Sequence, residues 1–357
     1  MRRILVTVLA LTLLLLPAAG RGEPLLPFAA LREEIPSPWR QTFDTVNGPV
    51  TIDTEILLPD RDTIPVVSLA FHTFPEDALA DAFPQAQVDA DPLRSMVLMG
   101  DFAGCVYPAQ ASRCGWLPWP AEAEYAENAA VSRDALAERA RQLVNRLPLP
   151  EGMAYRIAGV VAHGRTWLVD RQDTPVRPLN DHGYYDLYLE TTVLGLPVMD
   201  TFRFDRDDEK CHGPCAEQPQ LHYYDDADYT LCLSGYRVEA VLQEDSPMLP
   251  FAAIAREIGR LAAAGHLRAV YRMALCCVPM WADDGQGMVA VPAWVLWGEY
   301  CEDPSAPGLR ESPDFYRARL GGYAVVIPAQ TGRALDCADA GGDRWLASAY
   351  LTEPGVR

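Results

Sequence analysis

The sequence predicts an α+β protein made of two tandem units, each an antiparallel sheet with one main amphipathic helix packed on it. Two observations lead to this class. Segments of alternating apolar residues, or of clustered β-branched and aromatic residues, predict strands in both halves of the chain, and one segment per half has apolar residues at helical spacing. With 357 residues and 49% hydrophobic content, the chain is long enough for two compact units, placed at residues 23–235 and 236–357.

Residues 1–22 have the pattern of a secretory signal peptide. Arg2 and Arg3 precede an apolar run over 4–16, which a proline and small residues follow. A membrane span needs about 20 apolar residues, so this run is too short to be a comfortable one. We expect an exported protein, secreted or on the extracellular face of the cell envelope, with no membrane segment beyond the signal.

The first unit begins with two predicted strands, VTIDTEILLP at 50–59 and IPVVSLAFH from Ile64, followed by a short helix around PEDALADAF. Residues 84–130 lack clear periodicity and contain proline, tryptophan and cysteine, which predicts a long loop or insertion. Ser132 is the expected N-cap of the main helix. Its apolar stripe is Leu136, Ala140, Leu143, Val144 and Leu147. The strands predicted after this helix are AYRIAGVVAHG, TWLVDR and GYYDLYLETTVLGLPV.

The second unit repeats this plan as a strand, a helix and three strands. GYRVEAVLQE is the first strand, and Ser246 and Pro247 mark the expected start of the helix. The expected buried stripe of the helix is Phe251, Ile254, Ala255, Ile258 and Leu261. The last three strands are LRAVYRMALCCVPM, MVAVPAWVLWGEY and GYAVVIPAQTGRALD. WADDGQG at 281–287 is expected to connect the first two as a hairpin, because Asp and Gly tolerate positive φ.

The strand at 288–300 is apolar on both faces, so it is either central and covered twice or exposed to a partner. Large aromatic residues are more often core than recognition elements, and we therefore expect Trp294 and Trp297 to be buried, with Glu299 the first residue back in water. A binding surface is the other interpretation. Its candidate residues are Trp294, Trp297, Glu299, Trp116 and Trp119.

This C-terminal pattern resembles a group of exported proteins. A V-P-A-W strand ending at Gly298 is followed, after a loop, by a Y-x-V-x-I-x-A-x-x-G strand from Tyr323 to Gly332. The pattern is similar to uncharacterised exported proteins and lipoproteins of gram-positive gut bacteria, and more distantly to PepSY-type and two-component-accessory extracellular domains. TIDTEILLPDRDTIPVV resembles the N-terminal part of the same group. The resemblance implies interaction rather than catalysis, although the lipid-attachment cysteine of the group is absent here.

No metal site or cofactor is predicted. CHGPC at 211–215 contains ligand-type residues but lacks a second cluster at zinc spacing. The acidic segments at 205–209 and 223–229 lack the glycine and terminal glutamate of an EF-hand loop. The nine cysteines are compatible with four disulfides and one thiol, or with a mostly reduced set.

No catalytic motif is present in the sequence: G-x-S-x-G, H-E-x-x-H and S-x-x-K are all missing. A dyad assembled in space remains open, for example a cysteine with His163 or His222, and so does a pair of carboxylates. The formal charge of -19 argues against nucleic acid and anionic membrane surfaces. We therefore expect a non-enzymatic binding or regulatory protein with an envelope or secreted protein as partner. The alternative is a secreted hydrolase with a site between the two units.

Overall fold

The computed structural model describes residues 23–45, 48–90, 95–100, 114–115, 131–163, 167–169, 175–178, 183–200, 214–285, 287–300, 325–335, 346–347 and 351. Helices and strands coexist in these residues, and most strand pairs are antiparallel, which confirms the α+β class. None of the helices in the described ranges is long and apolar enough to span a membrane.

Four helices lie in the described part of the chain. They are α1 (Phe28–Glu34), α2 (Glu76–Ala82), α3 (Arg133–Val144) and α4 (Phe251–Ala263). The first nine strands are β1 (Trp39–Phe43), β2 (Val50–Thr54), β3 (Ile56–Leu57), β4 (Val66–Phe71), β5 (Gln87–Ala90), β6 (Ser95–Met99), β7 (Cys114–Gly115), β8 (Met153–His163) and β9 (Trp167–Val169). The others are β10 (Pro175–Pro178), β11 (Tyr184–Val193), β12 (Leu196–Pro197), β13 (Gln220–Asp225), β14 (Asp228–Leu233), β15 (Tyr236–Gln243), β16 (Leu267–Trp281), β17 (Met288–Tyr300) and β18 (Val325–Pro328).

Two large sheets organise these strands. The seven-stranded sheet has the order β12-β11-β13-β14-β6-β5, with β8 also paired to β11. The six-stranded sheet has the order β15-β4-β17-β16-β3, with β18 also paired to β17. In the latter, only the β3–β16 pair is parallel among the described strands. Strands β1 and β2 form a separate two-stranded sheet, and β7, β9 and β10 a three-stranded one.

The boundary expected at residue 235 does not separate the two large sheets. Strands β3 and β4 precede it, yet β3 pairs with β16, and β4 pairs with both β15 and β17. The six-stranded sheet is thus assembled from both ends of the chain rather than from one contiguous unit. The physical reason is that an apolar strand such as β4 gains most from a central position between two partners, and hydrogen-bonded pairing does not depend on chain order.

Each large sheet nevertheless has one long helix on it. In α3, the Ser132 hydroxyl accepts a hydrogen bond from the Ala135 main-chain N–H at 3.2 Å, which confirms the N-cap. The buried residues of α3 pack with α2 on the seven-stranded sheet, and those of α4 pack on the six-stranded sheet. Helix α4 begins at Phe251, four residues after Pro247, the later of its two expected start residues. Ser246 does not cap it, because its main-chain N–H donates to the Ile64 carbonyl at 2.7 Å and its hydroxyl accepts from the Gln330 amide at 2.7 Å.

Residues 84–130 are not wholly a loop. Strands β5 and β6 lie in this range, and β6 pairs with β14 on one side and β5 on the other. The SMVLM sequence of β6 is short and apolar on both faces, so its periodicity gave no strand signal. The hairpin at 281–287 is confirmed: the Ala282 main-chain N–H donates to the Gly287 carbonyl at 2.9 Å, and Gly285 has φ +68°.

Contacts also join the two large sheets. The chain after β12 runs beside β16, where Val198 forms a parallel bridge with Cys277 and the Met199 main-chain N–H donates to the Cys277 carbonyl at 2.9 Å. Glu190 of β11 lies between Arg156 of β8 and Arg272 of β16, so one carboxylate connects both sheets.

Candidate functional site

The two indoles of β17 are core residues and not parts of an exposed surface. Trp294 is fully buried and Trp297 is 2% exposed. Trp294 faces α4, and its ring meets that of Phe251 edge to face with centroids 5.6 Å apart. Trp297 lies on the opposite face, where the Arg272 guanidinium is 5.1 Å from its ring. Because β17 lies between β4 and β16 and both of its faces are covered, these two residues belong to the core and do not form a binding surface.

The other sequence candidates give no shared surface. Glu299 is partly exposed near the end of β17, where its carboxylate accepts a hydrogen bond from the Tyr271 hydroxyl at 3.4 Å. Trp116 and Trp119 lie outside the described residues. So do Cys211 and His212 of the CHGPC segment.

An open groove of about 530 Å³ lies between β1 and α4. We refer to it as the β1–α4 groove. Its lining residues are Glu34, Pro36, Trp39, Gln41, Phe43, Phe251, Ala252, Ala255 and Arg256. Alternation along β1 explains one wall, since Trp39, Gln41 and Phe43 fall on the same face of an extended strand. The other wall is one side of α4.

A series of edge-to-face aromatic contacts connects the core to this groove. It starts at Trp294, continues to Phe251 on α4 and then to Trp39, whose ring centroid is 5.3 Å from that of Phe251. Phe43 is the last member, 6.4 Å from Trp39. Each ring fixes the orientation of the next, so the aromatic wall is held by the core rather than by solvent-exposed side chains alone.

The side chains of α4 that line the groove project little from the helix because most of them are small. Ala252 and Ala255 contribute only methyl groups, and Gly259 lets the Phe43 ring approach the helix backbone. A Cβ at Gly259 would lie 2.7 Å from the Phe43 ring. Arg256 stands at the rim and is paired with Glu23.

Strand β1 offers hydrogen-bonding groups beside the groove. Within the described strands it pairs only with β2, in the register Trp39 to Thr54 and Phe43 to Val50. Its second edge therefore forms no ladder with any described strand. The sequence reasoning missed this strand, and the available signal was the spacing of Trp39, Gln41 and Phe43 two residues apart, just after Pro36 and Pro38.

The acidic segment at 223–229 forms the hairpin between β13 and β14, and two of its carboxylates have partners within the chain. The Asp225 carboxylate accepts the Ala227 main-chain N–H at 2.7 Å, and Asp226 pairs with Arg139 of α3 at 2.5 Å. Hydrogen bonds from Tyr223 and Arg139 hold the pKa of Asp226 below its usual value. In the described ranges, no three His, Cys, Asp or Glu side chains are placed so that they could hold a metal ion, and the other acidic segment, 205–209, is outside these ranges.

The cysteine–histidine pair considered for His222 is formed, whereas the side chain of His163 lies outside what the structure describes. His222 of β13 is hydrogen-bonded to Cys232 of β14 and also to Asp186 of β11, with 2.5 Å between Nδ1 and the carboxylate. Cys232 is a thiol, as are Cys215, Cys276 and Cys277. No sequence motif marks this group, because its three members come from three strands spread over 47 residues.

Comparison with known proteins indicates the fold only. No family model and no curated protein matches this chain. A solved structure, an uncharacterised protein from Eubacterium rectale ATCC 33656, is similar with a TM-score of 0.52 at 13% sequence identity. The similarity covers 88% of this chain and 99% of that one, so the arrangement of sheets and helices found here also occurs in a bacterial protein of distant sequence.

Proposed function

We propose that this chain is an exported binding protein of the cell envelope or extracellular space that receives an extended segment of another exported protein in the β1–α4 groove. The observation that carries the proposal is the coincidence of an aromatic groove with a strand edge that has no ladder partner among the described strands. The resemblance of the C-terminal strands to exported interaction proteins agrees with a binding role.

The strand edge supports an extended ligand. A peptide added alongside β1 would exchange main-chain hydrogen bonds with it, and alternate side chains of the peptide would then point to one side. On that side lie Trp39 and Phe43. When a peptide adds to a sheet edge, main-chain hydrogen bonds provide affinity and side-chain pockets provide selectivity. The β1–α4 groove has both an edge without a ladder partner among the described strands and an aromatic pocket.

The groove is large enough to hold one or two apolar side chains of a bound segment. Its volume of about 530 Å³ is within the range of about 300–1,000 Å³ usual for ligand sites. The aromatic wall provides the apolar area, and the rim residues Glu34 and Gln41 provide polar groups for the ends of the bound segment.

The charge of the chain supports a basic partner. At a formal -19, the protein attracts cationic segments and repels acidic ones over a Debye length of about 10 Å, which raises association rates more than affinity. We therefore expect bound segments to combine alternating apolar residues with lysine or arginine.

Selection from a displayed library of random peptides tests the proposal. The bait is the purified chain, and binding of each enriched peptide is followed through a fluorescent label on the peptide. Ala252→Trp places an indole in the groove at an exposed helix position, and Ala263→Trp places one on the same helix outside the groove. The two positions are 11 residues apart, so they are about 16 Å apart along the helix on nearly the same side.

We expect enriched peptides with apolar residues at every second position, which bind the Ala263→Trp protein as they bind the wild type and bind the Ala252→Trp protein at least tenfold more weakly. Enrichment of no such sequence, or equal binding by both variants, would show that the groove is not the binding site.

A further inference from the structure

One face of the seven-stranded sheet carries a row of polar side chains across three strands. Asp186 of β11 is directly opposite His222 of β13, and His222 is directly opposite Thr230 of β14. Cys232 is two residues beyond Thr230, so its side chain is on the same face. Except for His222, these residues are at least 93% buried. The row is on the side of the sheet away from the apolar cluster beneath α3.

The histidine is held in a fixed orientation. Its Nδ1 is 2.5 Å from an Asp186 carboxylate oxygen, and the Tyr188 hydroxyl donates to the other oxygen at 3.4 Å. Because Nδ1 is occupied, Nε2 is the ring nitrogen left for Cys232, to which the ring is also hydrogen-bonded. A carboxylate on one nitrogen and a nucleophile on the other is the arrangement that activates a serine or a cysteine.

The charge state of the histidine suits a thiol nucleophile. Burial alone would lower the pKa of His222, but the charge and hydrogen bond of Asp186, with a smaller contribution from Cys232, raise that pKa to about 10. The ring is therefore an imidazolium at neutral pH. A positive charge beside a thiol favours the thiolate, which is the nucleophilic form.

The Thr230 hydroxyl is a second feature, besides the Asp186–His222–Cys232 contacts, that indicates a bound ligand. It is buried and has no hydrogen-bond partner among the described residues, although most buried polar groups in proteins do have one. Because it is directly opposite His222 and two residues from Cys232 on the same face, it can donate a hydrogen bond to a group bound at the sulfur.

We infer that Cys232, His222 and Asp186 form a nucleophilic centre that hydrolyses small acyl esters, with Thr230 as a donor to the oxyanion. The inference goes beyond the binding function proposed for the β1–α4 groove and replaces the expectation of a protein without catalytic groups. The described residues leave 19% of the His222 side chain exposed, and this narrow access restricts the substrate to small acyl groups.

The reaction balances with water as the only co-reactant. The Cys232 thiolate attacks the carbonyl carbon, forming a C–S bond, and the Thr230 hydroxyl donates to the resulting oxyanion. The C–O bond to the alcohol then breaks as the His222 imidazolium gives its proton to the leaving oxygen. Neutral His222 next takes a proton from water as that water attacks the thioester, which releases the carboxylic acid and restores the thiolate and the imidazolium.

Reaction of the purified chain with p-nitrophenyl acetate tests the inference. We expect release of nitrophenolate and one acetyl group on the Cys232 peptide by mass spectrometry. Cys232→Ser should abolish the labelling, and Cys215→Ser, which changes a more exposed thiol outside the row, should leave it unchanged. His222→Gln should slow turnover by about 100-fold or more.

Thr230→Val keeps the shape of the side chain and separates chemistry from folding. We expect its circular dichroism and melting to match the wild type while turnover falls by about 100-fold. An acetyl group found on Cys215 instead of Cys232, or a turnover that His222→Gln and Thr230→Val leave unchanged, would overturn the inference.

Discussion

Replacement of Glu190 by glutamine is expected to destabilise the protein strongly, because this carboxylate joins the two large sheets. Its side chain is 3% exposed. One oxygen accepts the Arg156 Nε at 2.9 Å, and the other accepts the Arg272 Nη2 at 3.1 Å. Arg156 belongs to the seven-stranded sheet and Arg272 to the six-stranded sheet, so loss of the charge affects both.

The magnitude follows from the different exposure of the two arginines. The Arg156 side chain is 56% exposed and is solvated by water when the carboxylate is lost. The Arg272 side chain is 11% exposed, so most of it stays out of contact with water. Breaking a buried ion pair costs about 3–5 kcal/mol. The Trp297 ring 5.1 Å from the Arg272 guanidinium offsets about 1 kcal/mol of this, so we expect a loss of about 3 kcal/mol.

Urea denaturation followed by circular dichroism measures this effect. Arg156→Gln is the matched control, because it removes a partner of the same carboxylate at an exposed position and should cost about 1 kcal/mol or less. The double change Glu190→Gln with Arg272→Met should recover part of the loss, since it removes the buried charge as well. A Glu190→Gln protein within about 1 kcal/mol of the wild type, or an equal cost for Arg156→Gln, would refute this reasoning.

Three further outcomes are expected. Gly298→Ala should cost about 3 kcal/mol or more in thermal unfolding, because its new Cβ would lie 2.0 Å from a main-chain carbonyl oxygen of β16, whereas Gly287→Ala meets only ordinary contacts and should be nearly neutral. Ser132→Ala should lower stability by about 1 kcal/mol through loss of the α3 N-cap, and Ser132→Asp should restore it. Titration of His222 by NMR should give a pKa of about 10, and Asp186→Asn should lower it. Since the folded-state pKa is raised, the stability that this pair contributes is complete below about pH 6.5 and is lost as the pH rises through about 10, and a pKa of His222 that does not change in Asp186→Asn would contradict this.

Local signals in the sequence predicted the two main helices and most of the long strands, but not α1, β1, β5 or β6. The N-cap of α3 and the glycine-containing hairpin at 281–287 depend on residues within a few positions of each other, and both are formed. The burial of both faces of β17 was the favoured of two expectations, because a strand without a polar face has no side that water solvates well. These features need no knowledge of what lies elsewhere in the chain.

Tertiary structure alone decided which strands are neighbours. Alternation specifies the faces of a strand but not its partner, so the sequence could not place β3 and β4 beside β16 and β17. The same limit applies to the Asp186–His222–Cys232 group and to the β1–α4 groove, because each is made by segments that approach only when ladders form between distant strands or a helix packs across a hairpin. The residue types that supply the chemistry are visible in the sequence, but their distances are set by the pairing of the sheet.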